Sequence, residues 1–194
     1  MTTPAFEEIK KKYGYVGSWA IWKEKDGKEK TNVGDMSIFD SVTESLNPNV
    51  VFIGLNISKK IPIPFGNFHS ASPTSHDYKI RYAVKDTPFY GAYMTDIIKD
   101  FEDKSSGKVM KFINNNSDFL QENIASFTEE LEFIGATDPI LIAFGNDCYK
   151  ILKKSLKHTG KLFKVPHYSS CVSKEQLKVE LQKIHEIIRS RPSQ

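Results

Sequence analysis

The chain has 194 residues, 39% of them hydrophobic and 12% aromatic, enough to bury the core of one ordinary domain and too apolar for a disordered chain. Its net charge of +3 and pI near 8.7 permit a nucleic-acid partner without requiring one. The longest apolar runs, such as Val50–Gly54 and Ile140–Phe144, are about five residues, against the roughly 20 that a bilayer-crossing helix needs, so no membrane partner is expected.

In chain order, residues 4–13 read as a short helix with Pro4 in its first turn. Gly14–Gly34 contains Ser18-Trp19-Ala20-Ile21-Trp22 and an Asp26-Gly27 turn, the pattern of a hairpin or an irregular arm. The two tryptophans are read as core or lid residues. Met36–Leu46 is expected to be helical and is broken by Asn47-Pro48-Asn49. The continuous apolar run Val50–Gly54 suits a strand buried on both faces, as in a parallel sheet. Tyr90–Thr95, Ile140–Phe144 and Leu162–Val165 are the further strands. Helical patterns separate them at 74–84, at 106–134 with a break near Asn114-Asn115-Asn116, and at 146–157. A last helix is expected over 174–189, with Ser173 and Gln176 forming its capping box.

Alternating strands and helices predict an α/β fold: a three-layer α/β/α sandwich around a central, mainly parallel four-stranded sheet. The whole chain, 1–194, reads as one domain. It divides into an N-terminal helix and arm (1–49), a core (50–170) and a C-terminal helix (171–194). Residues 1–12 are charged and hold no apolar signal region, so the expected location is cytoplasmic. Cys148 and Cys171 match no zinc or redox spacing, and two thiolates fall short of the four usual ligands of an iron–sulfur cluster. No metal, cluster or other cofactor is expected. The sequence does not fix the oligomeric state.

In open parallel sheets the ligand lies beyond the carboxyl ends of the strands. The strand exits are therefore the residues that matter: Gly54-Leu55-Asn56-Ile57-Ser58, Thr95-Asp96, Gly145-Asn146-Asp147 and Pro166-His167-Tyr168-Ser169-Ser170. All four are polar or turn-forming, and their convergence on one rim predicts an active cleft.

These exits resemble the motifs of the uracil-DNA glycosylase superfamily. Val51-Phe52-Ile53-Gly54-Leu55-Asn56-Ile57-Ser58 is similar to its first motif, in the asparagine form of the mismatch-specific and single-strand-selective branches. Ile57 and Ser58 stand where those branches carry proline and glycine. Pro64-Phe65-Gly66 matches the element that follows, and His167-Tyr168-Ser169 resembles the last motif. Gly91–Asp96 is similar to the strand that ends in Thr-Asn in several branches. The likeness covers residues 50–170.

The resemblance implies a uracil-DNA glycosylase-like protein that hydrolyses the bond between sugar and base at a flipped, damaged or deaminated nucleotide in DNA, single-stranded DNA included. Asn56 is then a positioner of the attacking water, since an amide is too weak a base to abstract a proton. His167 donates a hydrogen bond to the departing base. Phe65, or Phe68, stacks on the flipped base. Gly54 and Leu55 line the substrate site, Thr95 is the alternative to Asp96 for reaching the base, and Ser169 and Ser170 grip flanking phosphates. Asp96 departs from the pattern: an ionised carboxylate accepts but cannot donate, so it repels a uracil O4 and suits an exocyclic amine better. Each residue also has a plainer reading. Asn56 can cap a turn, His167 and Phe65 can be packed side chains, and Asp96 can be held by Lys99. Lys59 and Lys60, and the row Lys150, Lys153, Lys154 and Lys157, read first as solvated surface. Two other functions stay open. One is a catalytically silent relative that binds nucleic acid or protein. The other is a small-molecule hydrolase using His167 with Asp96 or Asp147, although no Gly-x-Ser-x-Gly nucleophile elbow is present.

Overall fold

The computed structural model describes residues 1–41, 43–156 and 161–190. The elements are α1 (Thr3–Tyr13), β1 (Ser18–Trp19), β2 (Asn47–Asn56), α2 (Tyr78–Val84), β3 (Ala92–Ile98), α3 (Ser106–Asn115), α4 (Ser117–Phe133), β4 (Ile140–Phe144), α5 (Asn146–Ser155), β5 (Leu162–Val165) and α6 (Lys174–Ser190). The sheet has five strands, not the expected four, in the order β1-β3-β2-β4-β5. The four long strands are parallel, and the additional two-residue β1 pairs antiparallel with β3 at the edge. A two-residue strand leaves no periodic signal, so the arm that contains it gave no clear strand pattern.

Strand alternation sorts the core into two faces. Val51, Ile53, Tyr93, Ile97 and Leu141 point to one side and meet α1, α3, α4 and α5 through Phe6, Val109, Phe127 and Leu152. Val50, Phe52, Met94, Ile142 and Phe144 point to the other and meet α2 and α6 through Ile80, Val84, Leu177 and Leu181. Helices thus cover both faces of a mixed sheet, which is the three-layer arrangement. Burial on both sides explains the uninterrupted apolar runs of β2 and β4.

Helix termini follow local rules. Gln176 N–H donates to Ser173 Oγ (3.1 Å) while Ser173 N–H donates to Gln176 Oε1 (2.9 Å), a complete capping box. Ser105 Oγ accepts from Lys108 N–H at the start of α3. The expected helix over Met36–Leu46 is instead two short 3-10 segments, Met36–Asp40 and Thr43–Ser45. Asp35 accepts from both the backbone and the hydroxyl of Ser37, local bonds that compete with α-helical ones. Lys157, placed by the sequence at the end of α5, lies outside the described residues. Lys150, Lys153 and Lys154 are exposed on α5.

The arm is neither a hairpin nor a lid. Trp19 and Trp22 are buried, one on each face of the sheet. Among the described residues, no helix is long and apolar enough to cross a membrane.

Candidate active site

The strand order reverses at β2: the chain passes from β2 to β3 on one side and later returns to β4 on the other. Such a switch point leaves a crevice beyond the strand ends. A cleft of about 830 Å³ lies there, and Gly54, Asn56, Asp96, Gly145 and His167 all line it. Residues from four strand exits therefore do share one hollow. Leu55, Ser169 and Ser170 line it as well.

Gly54 and Asp96 are register partners on β2 and β3. An ideal Cβ at Gly54 would lie 2.1 Å from Asp96 Oδ1. The bare glycine is what lets this carboxyl lie across the cleft floor. Asp96 Oδ2 accepts from Asn67 Nδ2 at 2.9 Å. Burial pushes its pKa up to about 6, against the lowering effects of the Asn67 bond and of Lys99. Lys99 does not pair with the carboxyl. Its ammonium donates to the Asp96 backbone carbonyl (2.7 Å) and pairs with buried Glu130 (2.8 Å), which also accepts from Tyr93 Oη (2.7 Å). This network anchors the end of β3 from the opposite face.

Asn56 closes β2. Its Nδ2 faces the carbonyls of Ile57 (3.2 Å), Phe101 (3.2 Å) and Asp103 (2.8 Å), so that its two hydrogens are shared among three acceptors. Three surrounding acceptors identify that atom as the amide nitrogen and leave Oδ1 without a protein partner among the described residues.

His167 follows β5. Its Nδ1 accepts from Ser169 N–H (3.2 Å) and lies 2.8 Å from Ser169 Oγ. A backbone donor at Nδ1 fixes the neutral tautomer with the proton on Nε2. Burial lowers the pKa of the ring, which favours that neutral form. The imidazole stacks on Tyr168 at 4.6 Å, and Tyr168 meets Phe144 and Phe68 edge-on at 5.1 and 6.1 Å.

Two expected contacts are corrected. Phe65 does not stack over the cleft. It is buried against Phe6 (5.3 Å) and Phe39 (5.2 Å) in the core on the far face. Phe68 lines the cleft in its place. Thr95 does not reach a base either. It is fully buried, its hydroxyl unpartnered among the described residues, because alternation turns it to the face opposite Asp96.

Backbone conformation explains the exchange of phenylalanines. Phe65 and Phe68 both have positive φ, 59° and 61°, a conformation costing of order 1–3 kcal/mol for a bulky residue. The arm holds the loop in it. Gly14 O accepts from Phe65 N–H (2.6 Å), Ser18 Oγ donates to Phe65 O (2.7 Å) and Val16 O accepts from Asn67 Nδ2 (2.9 Å). Buried His69 braces the same turn, its ring nitrogens facing Asn67 O (2.9 Å) and Ile21 O (3.0 Å).

The sequence reading missed Asn67, Asp77 and Phe144, all of which line the cleft. Asn67 directly follows the Pro64-Phe65-Gly66 element, the one cue that pointed to it. Asp77 has a pKa raised by burial, and its Oδ2 accepts from Ser70 N–H at 2.7 Å. Nothing in the surrounding sequence marks it. Among the described residues, no group of three or more His, Cys, Asp or Glu side chains could hold a metal ion. Cys148 is buried and Cys171 exposed.

No protein-family model matches the chain, and no curated protein matches it.

Proposed function

We propose that the protein is a DNA glycosylase of the uracil-DNA glycosylase type, which hydrolyses the bond between sugar and base at an extruded nucleotide. One observation carries the reading: Asn56 and His167, 111 positions apart in sequence, line the same cleft with complementary free groups. One offers a carbonyl oxygen, the other a ring N–H. The cleft of about 830 Å³ is larger than a single heterocycle needs and leaves room for the sugar and its flanking phosphates.

The chemistry follows from those groups. Extrusion removes the nucleotide from the stack at a cost of a few kcal/mol. The aromatic wall of Phe68, Phe144 and Tyr168 returns part of that through contact with the base. Asn56 Oδ1 accepts a hydrogen bond from a water and holds it beside the anomeric carbon. As the C1′–N bond breaks, electron density moves onto the base, and His167 Nε2–H donates to the base atom where it gathers. The water then adds to C1′, and the proton it loses ends on the anionic departing base, leaving an abasic sugar and a neutral free base. Around the mouth, the hydroxyls of Ser58, Ser106, Ser169 and Ser170 and the ammonium groups of Lys59 and Lys104 suit phosphate oxygens.

A panel of oligonucleotides, single- and double-stranded, each carrying one altered base, tests this. Wild-type protein is expected to leave alkali-labile abasic sites on at least one lesion. His167→Ala should lower the single-turnover rate by about 10²–10³-fold, the usual effect of losing one such donor. Asn56→Ala should lower it by about 10²-fold, as expected from loss of positioning. Binding to every lesion with no abasic product would refute excision.

A further inference from the structure

We infer that the cleft selects a base carrying an exocyclic amino group, and that Asp96, oriented by Asn67, is the residue that reads it. The inference rests on the excision reading above and narrows its substrate.

It follows from where the donor hydrogens already go. Asn67 Nδ2 has two hydrogens, and they are used on Val16 O and on Asp96 Oδ2, both at 2.9 Å. Asn67 therefore has only its carbonyl oxygen left for a ligand. Asn56 Nδ2 is likewise turned to the carbonyls of Ile57, Phe101 and Asp103. Asp96 Oδ1 lies over the bare Cα of Gly54. Among the described residues it has no hydrogen-bond donor and no ion-pair partner. The nearest candidate, Lys99, is directed to the Asp96 backbone carbonyl and to Glu130. The residues that carry these three oxygens all line the cleft. The ends of β2 and β3 and the loop that carries Asn67 thus present three acceptors, and the identified ring donor, His167 Nε2–H, comes from a different strand exit.

That division sorts the bases. A uracil-type ring offers a carbonyl oxygen at position 4, which would face an acceptor with no hydrogen between them. A cytosine-type ring offers an amino group at the same place and keeps its O2, next to the glycosidic bond, for His167. An adenine-type ring offers its amino group and a ring nitrogen in the same two roles. Binding an amino-bearing base therefore pairs donors with acceptors at both ends, whereas a dioxo base leaves a buried acceptor unpaired.

Matched single-stranded oligonucleotides carrying 5-fluorocytosine or 5-fluorouracil in the same context test the selection, since fluorine eases departure of both bases. Wild-type protein is expected to release fluorocytosine faster by about 10²-fold, in line with the cost of leaving one buried acceptor unpaired. Asp96→Asn should reverse the order, because its amide can turn a donor toward O4. The same pair built on non-cleavable 2′-fluoroarabino sugars gives dissociation constants without chemistry and should show the same order and the same reversal. Thermal melting of the variant confirms that it is folded. A wild-type preference for fluorouracil, or an order unchanged by Asp96→Asn, overturns the inference and leaves excision standing. Amino-selective binding with no abasic site from any substrate refutes excision and keeps the selection. Absence of both binding and release overturns both.

Discussion

Replacing Asp96 with asparagine should stabilise the fold at neutral pH, and by an amount that depends on pH in one direction only. Asp96 is 5% exposed and its pKa stands at about 6 in the fold, against an ordinary 3.8. At ~1.4 kcal/mol per pH unit, ionising it inside the protein costs about 3 kcal/mol more than ionising it in the unfolded chain. Between pH 4 and pH 6 the folded state holds the proton and the unfolded state releases it, so stability from this group falls as pH rises through that window. Above pH 6 both states are ionised and the full cost is present. Below pH 4 both are protonated and it disappears. The charges that bear on the group are Lys99, which lowers the pKa, and Glu130 and Asp77, which raise it. An asparagine side chain carries no charge, and its Oδ1 can still accept from Asn67. Asp96→Asn should therefore gain about 3 kcal/mol at pH 8 and close to nothing at pH 4. For a domain of this size each kcal/mol moves the midpoint by about 2–4 °C. Urea melts of both proteins at the two pH values, compared at constant m-value, give the difference directly. An equal effect at pH 8 and pH 4, or a loss at pH 8, would refute the placement of an ionisable carboxyl on a buried cleft floor.

Gly54→Ala should disable the site while leaving the fold: its Cβ would stand 2.1 Å from Asp96 Oδ1 and 3.5 Å from Phe68 Cζ, costing about 1–3 kcal/mol in urea melts and displacing the carboxyl, with loss of any preference between the two fluorinated bases. Lys79→Met removes a buried ammonium that donates to Ser170 O (3.2 Å) and Val172 O (2.8 Å); it should cost about 1.5–3 kcal/mol and speed amide exchange across 169–172, and unchanged protection there would show that Lys79 does not hold the loop after His167.

How far the sequence spoke depended on whether a structure leaves a repeating trace. β2 and β4 were legible because strands covered on both faces must be apolar throughout. The Ser173–Gln176 cap was legible because both halves of the box are local. β1 was not, since two residues carry no period, and the Met36–Leu46 helix failed because Asp35 offered the backbone nearer partners. The strand exits identified Gly54, Asn56, Asp96 and His167 because the topology of a parallel sheet collects its carboxyl ends. Orientation was another matter. Which way a phenylalanine ring points in a Pro-Phe-Gly-Asn-Phe loop is decided by two positive φ angles that only the packed arm can hold in place.

That arm ties the site's stability to its chemistry. The carbonyls of Gly14, Val16 and Ile21 are far from β2 in sequence, yet they fix the loop that carries Asn67 and Phe68. Asn67 in turn holds the carboxyl of Asp96, and Gly54 leaves that carboxyl uncovered. Each link carries a cost that folding alone would avoid: a buried histidine, a turn with two positive φ angles and a buried carboxyl. A core optimised only for stability would fill this hollow. Groups this costly gathered at one switch point favour the proposal that the cleft is organised around a ligand.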